Sequence, residues 1–451
     1  MSDLTVELTA PNGKKYIQPT GLFINNEWVK SSTGQKITSI NPSDETEIAS
    51  VYAASAEDVD TAVKAARAAM RNPEWRDLSP TDRGSLMIKL SSIITEHTDI
   101  LATIETWDNG KIYGDALADI AEVEAVFKYY GGYADKIHGQ VIDTGIAKFA
   151  YTLKEPIGVC GQIIPWNYPL GMAAWKLGPA LACGNAVVIK AAEQTPLSIL
   201  YFANLVKEAG FPPGVVNIIN GHGREAGAAI ATHPNIDKVA FTGSTATDLD
   251  QAVKWAHLGI MSNQGQIFSV LGDPFAETTF QGPQVTKAQY ERVLGYVQTG
   301  KDEGATLISG GEAFTKAHPS GKGFFVTPPS SQMSLPSMKI YREEIFGPFC
   351  VIASFKTEDE GIDMANDTTY GLGAAIFTTN LDRAHKLARR IESGTVWINS
   401  SQDSDYRIPF GGKKLSGIGR ELGEEGLHAY SSTKAIHVNL AKFKCCPTYY
   451  Q

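Results

Sequence analysis

From Pro156 onward the chain alternates short apolar runs with longer stretches of helical periodicity, and this alternation restricts its possible folds more than any other feature. GVCGQIIPW is followed by NAVVIKAAE, a helical pattern through LSILYFANLVKEAGF, then VVNIING, a further helical pattern and DKVAFTGS. Strands covered on both faces read as continuous apolar runs, and strands alternating with helices build a parallel, doubly wound sheet. Such sheets bind ligands beyond the carboxyl ends of their strands. Here those ends read PWN, KAAE, NGHG and TGST, so these four loops are where a cofactor is expected.

With 451 residues the chain has room for two or three domains. Ahead of the alternating section lie two strand-like stretches, GLFINNEWVKSS and KITSINP, and then helices. The first helix, SAEDVDTAVKAARAAM, opens with a Ser-x-x-Asp capping pattern. DRGSLMIKLSSIITEHTDILATIETWDNGK and ALADIAEVEAVFKYYGGYADKI also read as helices, with Gly110 and the pair Gly131-Gly132 as expected stops. A second alternating section starts near Gly282 and passes through TLISGG, EIFGPFCVIASF, YGLGAAIFTTN, the helix DRAHKLARRIESG and TVWIN. It predicts another α/β domain.

A net charge of -9, without a run of five like charges, argues against nucleic acid and anionic membrane as partners. No apolar run approaches the roughly 20 residues that span a bilayer, and the polar, acidic start is unlike a leader, so a cytoplasmic location is expected. The five cysteines form no disulfide framework, and no Cys/His cluster has zinc-ligand spacing. No metal is expected.

The loop Phe241-Thr242-Gly243-Ser244-Thr245 follows an apolar strand, and backbone N–H groups at a glycine-containing helix start suit a pyrophosphate. Most such turns bind nothing, so the loop alone decides little. Lys190 and Glu193 at another strand end add a cation for ribose or phosphate oxygens and a carboxylate for ribose hydroxyls. That carboxylate would repel a 2'-phosphate, favouring NAD over NADP. In isolation a solvated Lys and Glu in a loop is the better reading.

Taken together the segments say more. PWNYPLGMAAWKLGPALACGNAVVIKAAEQTP, AGFPPGVVNIINGHG, FTGST, NQGQ, GPQV, EEIFGP, TYGLGAAIFT, GTVWIN and PFGGKKLSGIGRELGEEGLHAY, in that order, resemble the aldehyde dehydrogenase superfamily from near Phe23 to near Val438. The resemblance implies an α/β fold with a Rossmann-type cofactor domain (1–135 and 151–262), a second α/β catalytic domain (263–429) and a small oligomerisation arm (136–150 and 430–451). It implies a homo-oligomer that oxidises a small aldehyde to a carboxylic acid with NAD, through a cysteine thiohemiacetal and thioester. By the same resemblance Asn167 is the oxyanion-hole amide and Lys190 and Glu193 are the adenosine-ribose contacts. Gly243 and Ser244 form the pyrophosphate loop, Ile164, Pro165, Trp166 and Gly223 are walls of the cleft, and Glu344 and Phe346 hold the nicotinamide ribose and ring. Asn167 before Tyr-Pro would otherwise shape a turn, and Phe346 would otherwise be core.

At two places the pattern breaks. The family's nucleophilic cysteine stands two residues after NQGQ, and here that position is Phe268, followed by SVLGDPF. The general-base glutamate belongs to a segment beyond FTGST, but FTGSTAT runs straight into DLDQ. Each break is the size of about thirty residues, one supersecondary unit, so the sheet of each domain is expected to be truncated. Phenylalanine has no nucleophilic or titratable group, so the chain as written is expected to be inactive. Cys160, Cys183 and Cys350 lie in apolar patterns and Cys445-Cys446 in the tail, so none is a ready substitute. Residues 248–260 are expected to form a capped helix directly after the phosphate loop. Three readings stand: a dehydrogenase whose sequence lacks two segments, a noncatalytic nucleotide-binding relative, and an assembly partner of intact subunits.

Overall fold

The computed structural model describes residues 4–243, 270–333 and 335–441. The helix expected over 248–260, together with Ser244, Phe268 and the Cys445-Cys446 pair, lies outside the described residues.

The N-terminal residues form a hairpin of β1 (Thr5–Thr9) on β2 (Lys15–Pro19), then β3 (Leu22–Ile24) with β4 (Glu27–Val29) and β5 (Lys36–Ile40) with β6 (Glu47–Tyr52). Helix α1 (Ala56–Ala69) follows, and the Ser-x-x-Asp pattern works as expected: Ser55 and Asp58 close a reciprocal capping box. Next come α2 (Pro80–Glu96), α3 (Thr98–Asn109) and α4 (Tyr113–Tyr133). Gly110, at φ +88°, ends α3 as its position in the sequence suggests.

Gly131-Gly132 does not stop a helix; α4 runs through both. A Cβ at Gly84 of α2 would stand 2.4 Å from the Gly131 carbonyl oxygen, so one glycine of the pair serves a close helix crossing instead. At Gly132 a Cβ would meet nothing within 4 Å.

The central sheet has the order β12-β9-β10-β11-β3-β4, with β9 (Val159–Ile163), β10 (Ala186–Lys190), β11 (Val216–Ile219) and β12 (Lys238–Phe241) parallel. Val187–Lys190 lies on Val216–Ile219, and Lys238–Phe241 on Cys160–Ile163. The antiparallel pair β3 and β4 extends the far edge. Helices α5 (Pro169–Ala182) and α6 (Leu197–Ala209) cross over between the parallel strands. All residues of α5 are buried, which explains its nearly unbroken apolar sequence. The chain moves from β9 to β10 to β11 on one side and places β12 on the other side of β9. The strand order therefore reverses between β9 and β12, the switch point at which open α/β sheets bind ligands.

The later residues hold α7 (Lys287–Asp302), a sheet β13-β14-β15 (Thr306–Ser309, Ser330–Gln332, Cys350–Ile352) and the parallel pair β16 (Gly373–Ile376) with β17 (Thr395–Ile398), between which lies α8 (Leu381–Arg390). A separate sheet joins β7 (Val141–Asp143), β8 (Lys148–Pro156) and the distant β18 (Ser431–Asn439), so that residues 148–156 lie against 431–439. The main core packs both sides of the central sheet, and a smaller one gathers Val297, Met338, Ile340, Ile345 and Phe349. Among the described residues no helix is long and apolar enough to cross a membrane.

Candidate functional site

Parallel register brings the four strand ends to one rim. Ile164, just past β9, donates its N–H to the Lys190 carbonyl at the end of β10 (3.2 Å), which ties the first two loops together. The Lys190 side chain is fully buried; its Nζ donates to the Ala191 carbonyl at 2.7 Å and meets Glu193 Oε2 at 3.3 Å. Desolvation holds the Lys190 pKa below the usual lysine value, with the Glu193 carboxylate opposing it. Glu193 is about one third exposed, so the pair has a buried cation and an open carboxylate.

Beyond β11 the chain enters a helical turn, Gly223–Gly227. A Cβ on Gly227 would lie 3.8 Å from Lys190 Cδ, and one on Gly223 would meet nothing within 4 Å, so this wall is low where it faces the pair. Beyond β12, the Thr242 N–H bonds the Ile163 carbonyl at 3.1 Å, and Thr242 Oγ1 accepts from buried Lys176 at 2.6 Å. Lys176 also pairs with Glu421. A Cβ on Gly243 would fall 2.3 Å from the Phe241 ring, so that position takes glycine. Ser244, next in line, is outside the described residues.

Asn167 is half-buried, and its Oδ1 is buried without a hydrogen-bond partner among the described residues. An orphaned buried amide oxygen is costly in a finished core and is found where a polar ligand or water belongs. Pro165 and Trp166 beside it are half-buried and Ile164 is buried.

From the other direction, buried Glu344 and half-buried Phe346 come up on the loop before β15. Phe346 has φ +56°, an uncommon conformation for an aromatic residue, and its ring meets that of Trp166 edge-on with centroids 5.0 Å apart. Two residues that the sequence reading did not single out hold this loop. Arg292 of α7 donates to the carbonyls of Glu344 and Ile345, the latter at 3.1 Å, and Gln289 donates to that of Phe346. Their spacing of three on one helix face was the available signal.

The structure thus places Ile164, Pro165, Trp166, Asn167, Lys190, Glu193, Gly223 and Gly243 on the strand-end rim, and it brings Phe346 against Trp166. Cys160 and Cys183 are buried, each thiol pushed up to about 12 by desolvation. Among the described residues no group of three or more His, Cys, Asp or Glu can hold a metal ion.

A doubly wound sheet with a Lys–Glu pair, low glycine walls and a buried amide oxygen at its switch point defines an α/β protein of the nucleotide-binding architecture. More particularly, the chain belongs to the aldehyde dehydrogenase family, whose model matches residues 28–248 and 269–436. It is 46% identical over 494 residues to an aldehyde dehydrogenase of Davidiella tassiana, covering 97% of this chain and 98% of that one. It is 44% identical to the mitochondrial aldehyde dehydrogenase of Sus scrofa, covering 97% and 94%. Among solved structures it is similar to the NAD+ complex of aldehyde dehydrogenase from Bacillus cereus, with a TM-score of 0.87, 40% identity and coverage of 94% and 97%.

Proposed function

We propose that this chain is a member of the family that binds NAD, in preference to NADP, and does not itself oxidise aldehydes. The observation that carries the proposal is Phe268, two residues after NQGQ, where the family pattern calls for the cysteine. Two findings support it. The family match is interrupted over 249–268, and the alignment to the Davidiella tassiana relative is longer than the 451 residues of this chain, so that relative holds residues with no counterpart here.

The residues present fit the cofactor. Buried Lys190 and open Glu193 would hold the adenosine ribose, and the repulsion of a 2'-phosphate by Glu193 favours NAD. Gly223 and Gly243 would let the backbone approach the ligand, and Glu344 and Phe346 would take the nicotinamide ribose and ring, with Trp166 behind. NAD, when bound, supplies a hydride acceptor. Asn167 would offer its amide N–H to a polarised aldehyde oxygen. Without a thiolate that oxygen develops no alkoxide, so the amide binds and does not catalyse.

A homo-oligomer would form through the β7-β8-β18 sheet, where Val141, Ile142, Ile146 and Phe149 are exposed. A cytoplasmic location completes the proposal. The test pairs two assays: NAD should raise the thermal midpoint more than NADP does, and short aldehydes with NAD should yield no NADH. NADH formation overturns the noncatalytic reading, and indifference to NAD overturns the binding reading. A second reading rests on the intact motifs flanking both breaks: the natural product carries the two segments, and its native mass exceeds 48.6 kDa.

A further inference from the structure

Asn167 Oδ1 is buried and has no hydrogen-bond partner among the described residues, so the backbone on either side of it bears on where its amide stands. Those neighbours are gripped by the end of α3. Asn109, buried at the last position of that helix, donates Nδ2 to the Trp166 carbonyl at 2.7 Å. Lys111 stands with Nζ 4.5 Å from the centre of the Tyr168 ring. One turn back, Glu105 accepts the Leu170 N–H at 3.2 Å. The residue before Asn167, the residue after it and the first turn of α5 are thus each tied to residues 105–111.

The grip is itself braced. The Ser198 hydroxyl donates to Glu105 at 2.5 Å, and Lys111 pairs with Glu105 at 3.7 Å and with Asp119. Gly110, which turns the chain between Asn109 and Lys111, is confined: a Cβ there would meet the rings of Pro42 and Pro283 at 2.8 and 2.9 Å. A displacement of about 1 Å in a group that faces a ligand is enough to matter for binding and orientation.

We propose that Asn109, Lys111 and Glu105 are positioning residues, which set where the Asn167 amide and the Trp166 ring stand in the cleft without touching the ligand themselves. The proposal rests on the reading of the cleft given above for what it binds, but not for how it is held. It makes the α3–α4 connection, more than fifty residues upstream, part of the site.

Two isolated changes test it in the full chain. Asn109→Asp keeps the shape and turns a donor into an acceptor facing a carbonyl. Lys111→Met keeps the stem and removes the charge over the Tyr168 ring, while Lys111→Arg restores a cation. Amide hydrogen exchange is followed by mass spectrometry over 164–172 and, as a reference, over 186–190 of β10. Expected is a rise of roughly tenfold in exchange over 166–170 in Asn109→Asp and Lys111→Met, the reference unchanged, and parent behaviour in Lys111→Arg. NAD affinity should fall by roughly tenfold in the same two variants and recover in the third. Parent-like exchange in both variants, or an equal rise over 186–190, overturns the proposal. If the parent itself fails to bind NAD, the cleft reading falls while the exchange data still decide this one.

Discussion

The Phe346 ring meets the Trp166 ring at a centroid distance of 5.0 Å and an interplanar angle of 72°, although the two residues are 180 positions apart in the chain. Phe346 reaches this position from a left-handed backbone, held there by Gln289 and Arg292 through main-chain carbonyls. An aromatic pair of this kind contributes about 0.5–1.5 kcal/mol beyond its burial. Phe346→Ala should therefore weaken NAD by roughly tenfold by calorimetry. Phe346→Tyr, which keeps the ring, should stay within about threefold of the parent.

Glu193 is the counter-charge for a lysine that is 2% exposed. Glu193→Gln should leave Lys190 buried with less compensation and cost about 1–3 kcal/mol in denaturant unfolding. Lys190→Met removes the buried charge outright and should be close to neutral for stability while weakening NAD by more than tenfold. A loss of stability in Glu193→Gln that is absent from Lys190→Met, together with weakened NAD binding in Lys190→Met, distinguishes a ligand contact from a structural ion pair.

The crossing of α2 and α4 offers a matched pair. Gly84→Ala puts a methyl 2.4 Å from the Gly131 carbonyl and should cost about 1–3 kcal/mol. Gly132→Ala meets open space and should stabilise the helix by about 0.5–1 kcal/mol. Urea midpoints that moved in the same direction for both would contradict the crossing.

This pair also marks where sequence reading stopped. The buried strands and their loop ends were legible because a doubly wound sheet writes continuous apolar runs separated by helical periods, and Ser55-x-x-Asp58 was legible because a capping box is local. Gly131-Gly132 looks the same whether it ends a helix or admits a neighbour; only the approach of Gly84 decides. Asn109 and Lys111 act through a carbonyl and a ring more than fifty residues away, and such contacts leave no local pattern; Gln289 and Arg292 leave only their shared helix face. Glu344 and Phe346 were legible through the EEIFGP motif, not through any spacing that would have set them beside Trp166.

Asp108 gives a pH dependence with a definite sign. Burial raises its carboxyl to about 7, against 3.8 for the unmodified side chain, despite hydrogen bonds from Ser39 and from the Leu197 N–H. The folded state holds this proton more tightly than the unfolded one. Its contribution to stability is therefore fully present below pH 3.8 and is lost as pH rises through 7. The difference amounts to at most about 4 kcal/mol. Asp108→Asn cannot titrate, so its stability relative to the parent should rise between pH 4 and pH 7. A constant difference across that range would remove Asp108 as its source.

Whether Cys160, Cys183 or Cys350 can act as a nucleophile is decided by reactivity. Cys160 lies within β9 and Cys183 at the end of α5, both buried, with thiols pushed up to about 12. At pH 8 such a thiol is ionised only to about one part in ten thousand, and its sulfur is covered besides. Burial of Cys350, in β15, also raises its thiol, though this residue is only half-buried. Alkylation of the native protein with iodoacetamide should therefore leave Cys160 and Cys183 unlabelled over hours, and both should label at once in urea. Rapid native labelling of either, quenched by NAD or by an aldehyde, would identify an accessible thiolate beside the cleft and overturn the proposal that the chain does not itself oxidise aldehydes.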